Sequence, residues 1–353
     1  MFASDNWSGA HPAISDALAR HGEGFASAYG ASDLDLAVEA RFNEVFEREV
    51  SVWFVATGTA ANALAMAAVN RPGGVAFAHR EAHVIDSECG AVEAATGGAR
   101  LVPVDGALGR MDPDALRAEM DRFAPGRVHD GQPMAVTITQ GTEVGTHYAI
   151  EDIERIAEVA RGRDVPLHMD GARFANALAA TGASPADMTW RAGVDVLSFG
   201  GTKNGCWCAE AIVFMDPAMA RDMGFIRKRA AQLFSKTRFV AAQFEAHLAD
   251  DLWLATARHA NAMAAELRDA LTSGGVALAW PTTTNEVFAL LTPDQAGRLD
   301  AVDAGGRDWT PPHSAPAVAS DRSLRRFVTS FATEPAQIGI VRDALGADAR
   351  AAA

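Results

Sequence analysis

The chain has 353 residues, 49% hydrophobic and 22% charged. That is a globular composition with room for one large domain, one smaller one and a core that needs no disulfides. Its formal net charge of −14 repels nucleic acid and anionic membrane, which excludes both as natural partners. No apolar run approaches the roughly 18 residues of a membrane span, and the opening MFASDNWSGAHPAI lacks a signal-peptide pattern. The three cysteines, Cys89, Cys206 and Cys208, have no zinc-type spacing and read as packed thiols. A cytoplasmic protein without a metal site is the expectation.

Residues 1–45 form a mixed N-terminal segment: a loop around SDNWSG, a predicted helix at 12–21, then the Gly-rich HGEGFASAYG. From 46 to 248 strands and helices alternate. Strands are predicted at 51–56, 75–79, 101–104, 134–139, 165–169, 194–199 and 211–215. Helices are predicted at 58–69, at 112–123 with Asp112 and Pro113 as start signals, and at 151–162, where Ile153, Ile156, Ala157 and Ala160 share a face. This order implies an α/β large domain with a mainly parallel sheet. The pattern stays helical from Pro217 to about Thr272, with one or two helices crossing to a smaller α+β domain at 249–353. That domain has predicted strands near 276–280, 286–291 and 324–331 and a closing helix at 335–345. Residues 305–323 read as a Pro/Ser/Gly-rich loop, and the Ala-rich 347–353 as a fraying tail.

Ligands of open α/β sheets bind beyond the carboxyl ends of the strands, so polar groups there carry the search for chemistry. Of 31 basic residues only 3 are lysines, and one of them, Lys203, sits in the small and apolar stretch VDVLSFGGTKNGCWCAEAIVF. A desolvated lysine amine can attack a carbonyl, which a guanidinium cannot; the plainer alternative is a strand-end lysine reaching solvent. Thr57-Gly58-Thr59 links a predicted strand to a helix, and Gly58 and Thr59 suit a phosphate at the helix N-terminus, although Thr is also an ordinary N-cap. Asp170 ends a strand in LHMDGAR; it pairs either with Arg173 or with a protonated ring nitrogen of a cofactor. His83 can stack on a ring or act as a base, or be structural. In SLRRFVTSFAT, Arg326 falls on an apolar strand face and suits a carboxylate, while Arg325 points the other way, toward solvent. A phosphate cradle, an acid and a lysine, in that order after strands of one sheet, fit a pyridoxal phosphate site.

At these residues the chain resembles the low-specificity L-threonine aldolases, of the aspartate-aminotransferase-like, fold type I class of pyridoxal phosphate enzymes. The resemblance runs through SDN (4–6), AYG (28–30), TGTAANAL (57–64), AHVIDSECGA (82–91), TQGTEVG (139–145), LHMDGARFANAL (167–178), AGVDVLSFGGTKNG (192–205) and RFVTSFAT (326–333), and is weakest at 305–323. It implies that Lys203 holds pyridoxal 5'-phosphate covalently, that Asp170 partners its ring nitrogen, and that Gly58 and Thr59 hold its phosphate. It further implies that His83 stacks on the ring, that Arg173 sits near the ring hydroxyl and the substrate carboxylate, and that Ser4 and Arg326 bind that carboxylate. Arg238 and Tyr29 match residues reaching the site from a neighbouring subunit, in a tetramer built from dimers. The implied reaction is reversible cleavage of a β-hydroxy-α-amino acid to glycine and an aldehyde, with His83 as candidate base. Competing readings are β-elimination or transamination on the same fold, an amino-acid-sensing regulator, for which residues 1–50 are too short and acidic to add a DNA-binding module, and a plain nucleotide-binding protein.

Overall fold

The structure, a computed structural model, describes residues 1–313, 315 and 317–346, so the tail expected to fray lies outside the described residues. In chain order come α1 (Pro12–Arg20), α2 (Asp33–Val45), β1 (Ser51–Val55), α3 (Gly58–Ala68), β2 (Gly74–His79), α4 (His83–Asp86), α5 (Ala91–Thr96) and β3 (Arg100–Val104). Then follow α6 (Pro113–Asp121), β4 (Gln132–Thr139), α7 (Ile150–Arg161), β5 (Leu167–Gly171), α8 (Phe174–Thr181), α9 (Pro185–Met188), β6 (Val196–Gly200) and β7 (Glu210–Phe214). The rest is α10 (Met223–Arg229), α11 (Arg238–Leu248), α12 (Leu252–Ser273), β8 (Ala277–Leu278), β9 (Glu286–Leu291), α13 (Pro293–Asp300), β10 (Arg307–Asp308), β11 (Ser323–Val328) and α14 (Pro335–Gly346).

Seven strands form the main sheet in the order β1-β7-β6-β5-β4-β2-β3. Neighbours from β6 to β3 run parallel, and only β7 is antiparallel to the strands beside it. The expected mainly parallel α/β architecture is therefore present. Helices cover both faces, so β2, β5, β6 and β7 are buried at every position. The apolar alternation at 165–169 thus marks a strand buried on both sides. His168 and Asp170, interleaved between its apolar residues, are interior too, and His168 lies between Thr137 (2.8 Å) and Ser198 (2.9 Å).

The second sheet, β10-β11-β9-β8, is antiparallel throughout. Helix α12 packs against both α8 and α14, so it touches the elements around each sheet. Phe2 is buried in the second core, and Val328 N donates to Phe2 O at 2.8 Å, which ties the first residues of the chain to β11. One sequence expectation changes, at Arg325, and two stretches gain detail. Residues 33–45 form a helix, α2, started by a Ser32/Asp35 capping box. The helical stretch after Pro217 breaks into pieces, with Asp250 and Asp251 at positive φ between α11 and α12. Arg325 is not solvated: its side chain is 13% exposed and pairs with Asp300 and Asp308, because 305–308 folds back onto β11.

Candidate active site

A cavity of about 410 Å³ opens at the carboxyl ends of β1, β6, β5, β4 and β2, within the range of small-ligand sites. At its β1 edge Thr57 caps α3, its hydroxyl accepting from Ala60 N at 3.1 Å. The Gly58 and Thr59 amides lie in the first helical turn and have no acceptor within the helix. A Cβ on Gly58 would have no atom within 4 Å, so the space over this helix end is open. The result is an anion cradle.

Lys203 lies in a short 3-10 turn between β6 and β7. The glycines before it are there for close packing. A Cβ at Gly200 would come 2.7 Å from Ala172 O, and one at Gly201 would come 2.6 Å from Ala209 O. Asn204 fixes the turn to the start of α12, donating to Trp253 O (2.8 Å) and accepting from Thr256 Oγ1 (2.9 Å). Asp170, one residue from the end of β5, accepts from Asn62 Nδ2 (2.7 Å) and from Ala172 N (3.0 Å). His83 opens α4 after β2. Its Nδ1 is 2.8 Å from Glu88 Oε1, which also accepts from Asn62 Nδ2 at 2.8 Å. One amide group thus joins the acid behind His83 to Asp170.

The simple Asp170–Arg173 pair does not form. Arg173 turns instead to Asp5, Nε to Oδ2 at 2.8 Å and Nη2 to Oδ1 at 3.1 Å, and lies 3.5 Å from Glu286. Asn285 donates to Asp5 at 3.1 Å. Arg326 is 3.4 Å from Glu286, stacks over Trp309 at 4.2 Å and donates to Ala3 O at 3.5 Å. A chain of alternating charges, Asp5–Arg173–Glu286–Arg326, therefore backs the cavity wall. Burial alone would raise Asp5, but Arg173, with Lys203, outweighs it and holds the carboxyl below its ordinary range. Burial raises Glu286 in spite of both arginines. Burial pushes Glu143 up to about 7, with Asp170 adding to the rise, and Glu210 up to about 7 against the hydrogen bond from Thr202 N. The hydrogen bond that its ring makes to the Glu88 carboxylate raises His83, against burial.

Of the residues expected from sequence, Gly58, Thr59, His83, Asp170, Arg173 and Lys203 line this one cavity. Ser4, Tyr29, Arg238 and Arg326 do not. Ser4 caps the turn that carries Asp5, accepting from Asn6 N. Arg326 stands behind Glu286. Tyr29 is 54% exposed with Lys228 over its ring, and Arg238 donates to the Glu23 and Gly24 carbonyls. Sequence reasoning missed Glu88, Glu143, Glu210, Asn62 and Asp5. Four of the five are acids set in runs of small or apolar residues. Asp5, Glu88 and Glu143 lie inside the SDN, AHVIDSECGA and TQGTEVG blocks, and Glu210 opens the apolar run of β7.

A helix-end cradle, a buried carboxylate and a lysine gathered at one end of the main sheet are the parts of an α/β enzyme site. The family model of the β-eliminating lyases matches residues 1–293. The low-specificity L-threonine aldolase of Pseudomonas aeruginosa is 40% identical over 293 residues, covering 83% of this chain and 84% of its own. That of Pseudomonas sp. (strain NCIMB 10558) is 37% identical over 353 residues, covering 99% and 97%. Among solved structures, the threonine aldolase of Leishmania major matches with a TM-score of 0.88 at 26% identity, over 100% of this chain and 99% of that one. The chain belongs to the β-eliminating lyase family, and within it to the low-specificity L-threonine aldolases.

Proposed function

We propose that this chain is a pyridoxal 5'-phosphate-dependent lyase that cleaves L-threonine, L-allo-threonine and related β-hydroxy-α-amino acids, reversibly, to glycine and an aldehyde. The observation that carries this is the convergence of cradle, Asp170 and Lys203 on one cavity, in a chain that is 40% identical to a low-specificity L-threonine aldolase. The donor set fits the cofactor. The Gly58 and Thr59 amides suit its phosphate, as does the Thr202 hydroxyl, buried with no hydrogen-bond partner among the described residues. Asp170, already oriented by Asn62 and Ala172, suits a protonated ring nitrogen. When bound, the cofactor supplies an electron sink for the bond broken at Cα.

The chain's residues then take these parts. Lys203 would hold the cofactor through its side-chain amine. Asp170 would keep a proton on the ring nitrogen. Arg173 receives the substrate carboxylate in the cavity, with Arg326 and Ser4 behind it, and so sets which bond at Cα faces the sink. His83 covers the ring, and with Nδ1 given to Glu88 its Nε2 is the nitrogen left for substrate. Tyr29 and Arg238 serve a site shared between subunits of a tetramer built from two dimers. The exposed Phe25, Tyr29, Trp207 and Phe225 support such an assembly, and we place the enzyme in the cytoplasm.

The test mixes purified protein, pyridoxal phosphate and L-threonine and follows acetaldehyde and glycine together, with Lys203→Ala alongside. Equal release of both, lost in the variant, is expected. Keto acid and ammonia in their place would replace cleavage by β-elimination.

A further inference from the structure

Resting on the aldolase reading, we propose that Glu143 is the group that takes the proton of the substrate's β-hydroxyl. Glu143 follows β4, whose neighbours are β5, which carries Asp170, and β2, which leads to His83. It lines the cavity together with both of them. Its Oε1 accepts from the His83 backbone N–H at 2.8 Å, and its Oε2 is buried without a hydrogen-bond partner among the described residues. A buried carboxyl oxygen left unpaired is costly and calls for a reason. A substrate hydroxyl arriving beside His83 supplies one.

The other acids around the cavity are each held elsewhere, although Glu88, like Glu143, keeps an Oε2 unpaired among the described residues. Asp170 has one oxygen on Asn62 and the other on Ala172 N. Glu88 sits behind His83 and Asn62 with its side chain fully buried. Glu210 lies at the far edge, paired in register with Val55 of β1 and Gly200 of β6. His83 shares Nδ1 with the Glu88 carboxylate, which favours the imidazolium, a donor at both nitrogens. His83 therefore orients the hydroxyl oxygen by donating to it, and the proton leaves toward Glu143. Burial and Asp170 together place the Glu143 carboxyl at about 7, against the hydrogen bond that His83 N donates to it. That is where a general base works best at neutral pH.

The step balances. The O–H bond breaks and its proton passes to the Glu143 carboxylate. The oxygen electrons form the carbonyl of the aldehyde, and the Cα–Cβ pair is taken up by the electron sink. Glu143 gives its proton to water as the aldehyde leaves, and a separate proton is delivered to Cα as glycine forms, so the count closes and each turnover restores the carboxylate.

The experiment uses holoenzyme and Glu143→Gln, which keeps an acceptor for His83 N–H but cannot take a proton, with Glu143→Asp as the conservative variant. Three readouts are followed: cofactor uptake by absorbance titration, exchange of glycine Cα protons into D2O by NMR, and L-threonine cleavage. Glycine has no β-hydroxyl, so its exchange does not need this base. In Glu143→Gln, cofactor affinity and glycine exchange should stay within about three-fold of wild type, cleavage should fall by about 10²–10⁴-fold, and Glu143→Asp should recover part of it. Cleavage within about three-fold of wild type in Glu143→Gln overturns the assignment and leaves the aldolase reading standing. Joint loss of exchange and cleavage makes Glu143 a structural element and also overturns it. A wild-type enzyme that exchanges glycine protons but releases no aldehyde from any β-hydroxy amino acid removes the aldolase reading, and this assignment with it.

Discussion

Glu210→Gln isolates the energetic consequence of an acid built into the interior. Glu210 is the first residue of β7, buried between β1 and β6 at the edge of the cavity, and its Oε1 accepts from Thr202 N at 3.2 Å. Burial moves its pKa from an ordinary 4.5 to about 7. Between those values the folded protein holds a proton that the unfolded chain has lost. Its contribution to stability is therefore complete below pH 4.5 and is lost as pH rises through about 7. At 1.36 kcal/mol per pH unit the loss amounts to about 3 kcal/mol. Glutamine keeps the shape and the acceptor for Thr202 N–H but never ionises. A buried amide N–H₂ left unsatisfied carries its own cost of about 1–3 kcal/mol, but that cost does not depend on pH. The quantity to read is thus the change with pH. Urea unfolding of the cofactor-free protein, followed by tryptophan fluorescence at about pH 4.5 and pH 8, should show the variant gaining about 3 kcal/mol on wild type between the two. A difference that stays constant within about 0.5 kcal/mol would mean that Glu210 ionises like a solvent-exposed acid, and the burial argument would be wrong.

The Glu88 hydrogen bond raises the His83 pKa, so Glu88→Gln should lower it. An NMR titration of the His83 ring reads this directly, and an unchanged midpoint would show that Glu88 does not govern that ring. Asp5→Ala leaves Arg173 buried beside Glu286 without its bidentate partner, and should cost about 3–5 kcal/mol in denaturant unfolding. A loss under about 1 kcal/mol would show that the N-terminal contact is a surface-strength pair.

The strands and the lysine were legible because buried parallel strands leave continuous apolar runs, and the Gly200-Gly201 pair punctuates one of them. The alternation of strand and helix then sufficed for the mainly parallel sheet. Helix α2 was not legible because its sequence, DLDLAVEARFNEV, buries only Asp35, Val38 and Phe42, too few to show a period against its acids. Partners across the chain were hidden for a different reason. Asp170 and Arg173 are three residues apart and of opposite sign, so they look paired, yet Arg173 turns to Asp5, 168 positions away in sequence. Arg325 faces away from the apolar stripe of its strand and so reads as solvated, whereas the loop after Ala304 brings Asp308 over it. Sequence pattern gives the face of a strand but not what a later loop lays upon it. The acids Glu88, Glu143 and Glu210 were visible as letters in apolar company; that two of them sit at about 7 follows from enclosure, which only the fold supplies.

The ion-pair chain also explains why an arginine, not a lysine, belongs at position 173. It joins the N-terminal segment through Asp5, the main sheet through Arg173 after β5, and the second sheet through Glu286 on β9 and Arg326 on β11. The same guanidinium holds these parts together and, in the function proposed above, also receives a substrate carboxylate. Its Nε and Nη2 are committed to Asp5, with Glu286 beside Nη2, and among the described residues no hydrogen bond engages Nη1. A planar fork with five donors can serve both demands at once in fixed directions. A lysine ammonium could neutralise Asp5 or meet the ligand, but it has no geometry that divides its donors between two opposed carboxylates. The bidentate grip on Asp5 fixes the plane of the guanidinium, and that plane sets the direction in which Nη1 presents its hydrogens.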